Sequence, residues 1–139
     1  MGKIRGLTEV VLFVSDIDTS LRFYRDLLGL RVMSSPDLRS AVFLQVGEQG
    51  PSPPQQIVLV PRPSDAPSFP TDRVRRPLHH LGLEVAAKDF ETERERLQGL
   101  GIEVRFGEHP FLPLRGMYLG DPDGNEVELI APTLEHEPR

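Results

Sequence analysis

Glu9, His80 and Glu128 are the side chains of this chain whose types and placement could do chemistry. An imidazole nitrogen and carboxylate oxygens are donors for divalent metal ions, and the same groups can carry protons. Strand side chains alternate between two faces, so parity shows which way each residue points. In His80–Val85 the apolar set is Leu81, Leu83 and Val85, leaving His80, Gly82 and Glu84 on the opposite face. In Glu9–Val14 the apolar set is Val10, Leu12 and Val14, leaving Glu9, Val11 and Phe13 opposite. Residues 126–131 put Val127, Leu129 and Ala131 on one face and Glu126, Glu128 and Ile130 on the other. The three candidates therefore share the face away from the helices. A His and a Glu there are more often solvated surface than ligands, so parity alone leaves both readings open.

The elements that must position them come as a repeat. Residues 9–32, EVVLFVSDIDTSLRFYRDLLGLRV, and 80–104, HLGLEVAAKDFETERERLQGLGIEV, each read strand, acidic helix start, helix ending at glycine, strand. Strands are expected at 7–14, 30–34, 40–46 and 56–60, then at 79–85, 102–106, 114–119 and 126–131. Asp16 or Asp18 can cap the first helix, along which Ile17, Leu21, Tyr24 and Leu28 recur at helical spacing. Asp89 can cap the second helix, expected at about 89–99. Gly29, and Gly99 or Gly101, stand where left-handed C-terminal residues belong.

The segment 61–77 carries five prolines and almost no periodicity, which reads as an extended linker. Module one spans about 7–61, the linker about 62–77, module two about 78–132, and a polar tail 133–139. Each module is β-α-β-β-β, an α+β fold. The repeat matches Glu9 to His80 with an offset of 71, and Gly29 to Gly101 with an offset of 72. Carried back from Glu128, these offsets give Ile57 or Gln56. Gln56 can coordinate through its amide oxygen, and Gln55 and Gln56 read equally well as loop-edge residues.

These stretches, with HHLGLEV and above all GMYLGDPDGNEVELIAP, resemble the vicinal oxygen chelate superfamily of glyoxalase, bleomycin-resistance, epimerase and extradiol dioxygenase proteins. The resemblance runs from about Leu7 to Pro132. It implies two β-α-β-β-β modules forming a cupped mixed sheet around a cavity, in a homodimer. It also implies a divalent metal (Ni, Co, Mn, Fe or Zn) held by Glu9, Gln56 or Ile57, His80 and Glu128. Glu9 departs from the family pattern, where histidine or sometimes glutamine is expected. That departure disfavours an extradiol dioxygenase, which needs two histidines and a carboxylate around iron, and His79 has the wrong parity to substitute. The implied activity is glyoxalase- or epimerase-like proton transfer beside a carbonyl, with Glu128 and Glu9 able to act as base. The competing reading is a metal-free small-molecule binding protein of the bleomycin-resistance kind.

Tyr118, between Gly116 and Gly120 on its strand, could hydrogen-bond a substrate or pack in the core. Arg73, Arg75 and Arg76 could bind an anion, but a solvated linker face is the simpler reading. Arg115 reads as structural, His109 as a surface residue in a loop that could rim the cavity, and His136 as part of the tail. The helix face ETERERLQ reads as solvated. Composition narrows the classes further. The net charge of −5 argues against a general nucleic-acid binder, and no apolar run approaches the roughly 20 residues of a membrane span. With no cysteine, disulfides and thiolate chemistry are excluded. The expected partners are a small-molecule substrate and a second copy of the chain, and the expected location is cytoplasmic.

Overall fold

The structure is a computed structural model that describes residues 2–48 and 50–133. The chain divides into two compact units, Met1–Ser68 and Phe69–Arg139, so the boundary falls inside the proline-rich segment. Each unit carries its own four-stranded mixed sheet, and neither sheet closes into a barrel.

In the first unit β1 (Glu9–Val14) is followed by α1 (Ile17–Leu21), β2 (Arg31–Val32), β3 (Val42–Val46) and β4 (Gln55–Pro61), in the sheet order β1-β4-β3-β2. The β1–β4 pair is parallel and the others antiparallel. Asp16 is the residue that caps α1, its carboxylate accepting from Thr19 N–H at 2.8 Å. That bond holds the Asp16 carboxyl below its usual range. Asp18 instead pairs with Arg39 at 2.8 Å. After Leu21 the helix widens into a π-turn, Arg22–Leu27, in which Leu28 N–H donates to Phe23 C=O at 2.9 Å. Gly29 then reverses the chain at φ 82°. Leu12, Val14, Leu44, Ile57 and Leu59 are buried with Ile17, Leu21 and Tyr24, which makes this face the core. Val11 and Phe13 are exposed at 52% and 60%, as the alternation predicts.

The second unit repeats the plan with β5 (Leu81–Glu84), α2 (Phe90–Gly99), β6 (Arg105–Glu108), β7 (Leu114–Gly120) and β8 (Glu126–Pro132), in the order β5-β8-β7-β6. Three details depart from expectation. Asp89 makes no side-chain cap, because a short 3-10 turn at Ala87–Asp89 already leads into α2. The strand after α2 begins at Arg105 rather than 102, since Gly101, at φ 80°, needs further residues to bring the chain back to the sheet. His80 lies just ahead of β5 rather than within it.

The proline-rich segment is also more than a spacer. It contains a 3-10 turn, Arg73–Arg75. Arg76 donates from Nε to Pro70 C=O at 2.8 Å, from Nη1 to Asn125 Oδ1 at 3.0 Å, and from Nη2 to Asp123 C=O. It thereby clamps the DPDGN turn before β8. Asp121, 7% exposed, fixes that turn from inside by accepting from Asp123 N–H at 3.0 Å and Asn125 N–H at 2.7 Å.

Among the described residues no helix is long and apolar enough to cross a membrane. Leu97 is the fully buried anchor of α2. Its truncation removes buried carbon and leaves a cavity, so Leu97→Ala should cost about 2–5 kcal/mol. A lowered urea midpoint in a circular-dichroism titration checks this.

Candidate functional site

Residues of the second unit meet on the open face of its sheet. In β8, Val127, Leu129 and Ala131 are buried, so Glu126, Glu128 and Ile130 project the other way. β8 lies between β5 and β7, where Glu128 pairs with Gly82 on one side and Tyr118 on the other. His80, two residues before Gly82, shares that face, and its Nε2 lies 3.3 Å from Glu128 Oε1. The rings of His80 and Tyr118 meet edge-to-face, centroids 5.6 Å apart at 79°. Tyr118 is thus a member of this group and not a core tyrosine. Burial, then a hydrogen bond to the Glu128 carboxylate and its negative charge, push the Tyr118 phenol above its ordinary range.

Space for this cluster is created by glycine. A Cβ at Gly116 would overlap the Glu128 carboxylate, lying 2.8 Å from its Cδ and 2.9 Å from its Cγ. A Cβ at Gly82 would come within 2.7 Å of Ile130 Cδ1, and one at Gly107 within 3.2 Å of Tyr118.

Arginines border the cluster. Arg105, the register partner of Tyr118 on β6, sits with Cζ 5.7 Å from the Tyr118 ring centroid and hydrogen-bonds Glu126. Arg73 approaches the other Glu126 oxygen at 3.3 Å and donates to His79 C=O at 3.0 Å. Among the described residues Arg75 reaches Asp72, at 4.0 Å. The arginine cluster is therefore largely engaged within its own unit, Arg76 on the turn and Arg73 beside the site, which amends the solvated-linker reading.

Other candidates fall elsewhere. Arg115 is structural, lying 4.1 Å over the Phe90 ring and 3.2 Å from Glu91 on the helix side. His109 organises its loop, with Nδ1 accepting from Phe111 N–H at 3.2 Å and Leu112 N–H at 3.0 Å. On α2, Arg94 pairs with Glu91 and Arg96 with Glu93. His136 lies outside the described residues.

In the first unit Glu9 and Gln56 are direct register partners, so the open face of that sheet brings them together. The register nevertheless changes the counterpart of Glu128. Matching Glu9 to His80 matches Val11 to Gly82. Gly82 pairs with Glu128, whereas Val11 pairs with Val58. Val58, rather than Gln56 or Ile57, occupies the position equivalent to Glu128, and Gln56 corresponds to Glu126. Residue counting misses this because the loops absorb insertions, while hydrogen bonding between neighbouring strands sets the register. Ile57, the register partner of Val10, alternates onto the core side and cannot serve on the open face.

Sequence reasoning also missed His79, whose Nδ1 lies 2.8 Å from His80 Nδ1. Parity removed it from consideration, yet His79 stands outside β5, where strand alternation does not apply. The HH doublet was the available signal.

Among the described residues no group of three or more His, Cys, Asp or Glu side chains is placed to hold a metal ion. The second unit supplies two such donors, His80 and Glu128.

The family model described as Glyoxalase/Bleomycin resistance protein/Dioxygenase superfamily matches residues 6–129. The metallothiol transferase FosB of Staphylococcus saprophyticus is 24% identical over 133 residues, covering 95% of this chain and 80% of that protein. Mitochondrial methylmalonyl-CoA epimerase of Mus musculus is 28% identical over 116 residues, covering 77% of this chain and 62% of the epimerase. The crystal structure of a glyoxylase/bleomycin resistance protein/dioxygenase domain from Frankia sp. EAN1pec superimposes with a TM-score of 0.72 at 25% identity, covering 96% of each chain.

The Tyr118 titration gives a direct check on this geometry. The phenol should deprotonate above the ordinary tyrosine value near 10. Glu128→Gln should lower it part of the way back, because the negative charge goes while the burial stays. A pH titration of the tyrosine absorbance at 295 nm, with Tyr118→Phe as the blank, measures both.

Proposed function

The chain belongs to the Glyoxalase/Bleomycin resistance protein/Dioxygenase superfamily, and from that premise we propose a metal-dependent enzyme of glyoxalase or epimerase type. It moves a proton on the carbon beside a carbonyl of a small molecule. The observation that carries this reading is the His80–Glu128 pair, 3.3 Å apart on the open face of the second sheet with Tyr118 against both.

The donors fit a divalent cation in kind, one imidazole nitrogen and one carboxylate, and the missing Cβ at Gly116 leaves the carboxylate its place. When bound, such an ion (Ni, Co, Mn, Fe or Zn) supplies Lewis-acid polarisation of a substrate carbonyl. His80 would hold it through Nε2, the nitrogen that faces Glu128. Glu128 would be both a ligand and the base that takes the proton from the carbon beside the carbonyl. Tyr118, held protonated by its surroundings, steadies Glu128 through their hydrogen bond. The similarity to methylmalonyl-CoA epimerase supports proton transfer as the reaction class.

The exposed apolar strip of the first sheet, Val11, Phe13 and Met33 at 52%, 60% and 37%, favours a second reading. In that reading the chain binds an apolar small molecule without metal. Chelator-treated protein that keeps full ligand affinity would support it over the enzyme.

The test of the first reading is metal binding followed by exchange. Metal-free protein should bind Ni²⁺, Co²⁺ or Zn²⁺ stoichiometrically in calorimetry, and His80→Ala, Glu128→Ala and Gly116→Ala should each abolish or severely weaken binding. Glu9→Gln, altered at the counterpart of His80 in the repeat, shows whether that carboxylate contributes. Loaded protein should exchange the α-hydrogen of a 2-oxoaldehyde–thiol adduct or a branched acyl thioester for deuterium, read by NMR. Glu128→Ala should slow that exchange by about 10²–10⁴-fold. Failure of every divalent ion to bind would sink the proposal.

A Gly116→Ala result separates this site from a merely exposed ion pair. An exposed pair on a yielding surface would tolerate the added methyl group. The carboxylate of Glu128, 12% exposed at its side chain, lies where a Cβ at position 116 would stand, so the added methyl has to displace it.

A further inference from the structure

We infer that His79 is a positioning residue that fixes which nitrogen His80 presents to Glu128. The inference rests on the reading of His80 as a metal ligand. His80 is engaged on both sides of its ring: Nε2 lies 3.3 Å from Glu128 Oε1, and Nδ1 lies 2.8 Å from His79 Nδ1. The two imidazoles meet edge-to-face at 5.0 Å and 73°, and Tyr118 closes on His80 at 79°. A ring turned over by 180° would lose both nitrogen contacts at once.

Between two imidazole nitrogens, one must donate and the other accept. A neutral imidazole has a single N–H. For His80 to offer the lone pair of Nε2, its proton must sit on Nδ1 and be given to a bare Nδ1 of His79. His79 then carries its own proton on Nε2, on an exposed side chain that water can reach. Ligating histidines ordinarily give this hydrogen bond to a carboxylate, a carbonyl or water. Here a second imidazole takes that place, and it differs from a carboxylate in being able to donate as well as accept. His80 therefore keeps a partner at Nδ1 in either of its tautomers. Arg73 ties the arrangement down, donating to the His79 carbonyl at 3.0 Å while paired with Glu126 at 3.3 Å.

The experiment compares wild type, His79→Phe, His79→Asn and His80→Ala, each stripped of metal and checked for folding by circular dichroism. Two readouts are taken: Co²⁺ affinity from the cobalt absorbance, and ¹⁵N chemical shifts of the His80 ring in the metal-free protein. His79→Phe keeps a flat ring but has no acceptor, and should weaken Co²⁺ binding about 10–100-fold. It should also shift the His80 nitrogens. His79→Asn, whose amide both accepts and donates, should recover most of the loss. Unchanged affinity and unchanged shifts in His79→Phe would overturn the inference, as would a His79→Asn as weak as His79→Phe. His80→Ala binding Co²⁺ as tightly as wild type would instead overturn the underlying reading of His80 as a ligand.

Discussion

The candidate site of the second unit depends on one steric allowance: β8 runs between strands that carry glycine where bulk would close the open face. A Cβ at Gly116 would fall on the Glu128 carboxylate, and one at Gly82 on Ile130. Glycine weakens a strand interior by entropy and by the missing side chain. Its presence at two positions flanking the same strand exchanges local strand preference for room. Glu128 uses that room to meet His80 and Tyr118 while its strand neighbours Val127 and Leu129 stay buried. The alternation of a strand thus serves two purposes, apolar residues to the core and polar ones to a shared open surface.

The two units are one plan with different contents. Both place a parallel pair beside two antiparallel strands, and both end the helix at a glycine of positive φ. The open face of the second unit carries His80, Glu128 and Tyr118, with Arg105 as the register partner of Tyr118. In the first unit Glu9 stands at the counterpart of His80, and Val58 and Phe43 at those of Glu128 and Tyr118. The polar pair of Glu128 and Tyr118 in one copy is an apolar pair in the other. The scaffold is duplicated; the cluster of His80, Glu128 and Tyr118 is not.

Around the cluster, charge is spent on holding parts still. Arg76 grips the DPDGN turn that launches β8, and Arg73 and Arg105 share the carboxylate of Glu126. Exposed ion pairs of this kind contribute little stability on their own. Their effect here is geometric, since they set where the start of β8 lies and therefore where Glu128 projects. The segment that looked like a featureless linker supplies two of these arginines.

The sequence by itself determined the element order, the helix stops at Gly29 and at Gly99 or Gly101, and the faces of β1, β5 and β8. These follow from local rules: hydrophobic period, side-chain sterics and the left-handed conformation that glycine tolerates. Glu128 was legible for the same reason, since parity is a property of a single strand, whereas His80, just ahead of β5, is placed on that face by its contact with Glu128. What only the tertiary structure decided was how strands line up with one another. Register is a relation between distant segments, and loop lengths blur any attempt to count it. That is why Gln56 seemed to match Glu128 until hydrogen-bonded pairing set Val58 there. The same holds for His79 against His80, Arg76 on its turn and Tyr118 beside Glu128. Each is a side-chain contact fixed by packing in three dimensions, which no one-dimensional period encodes.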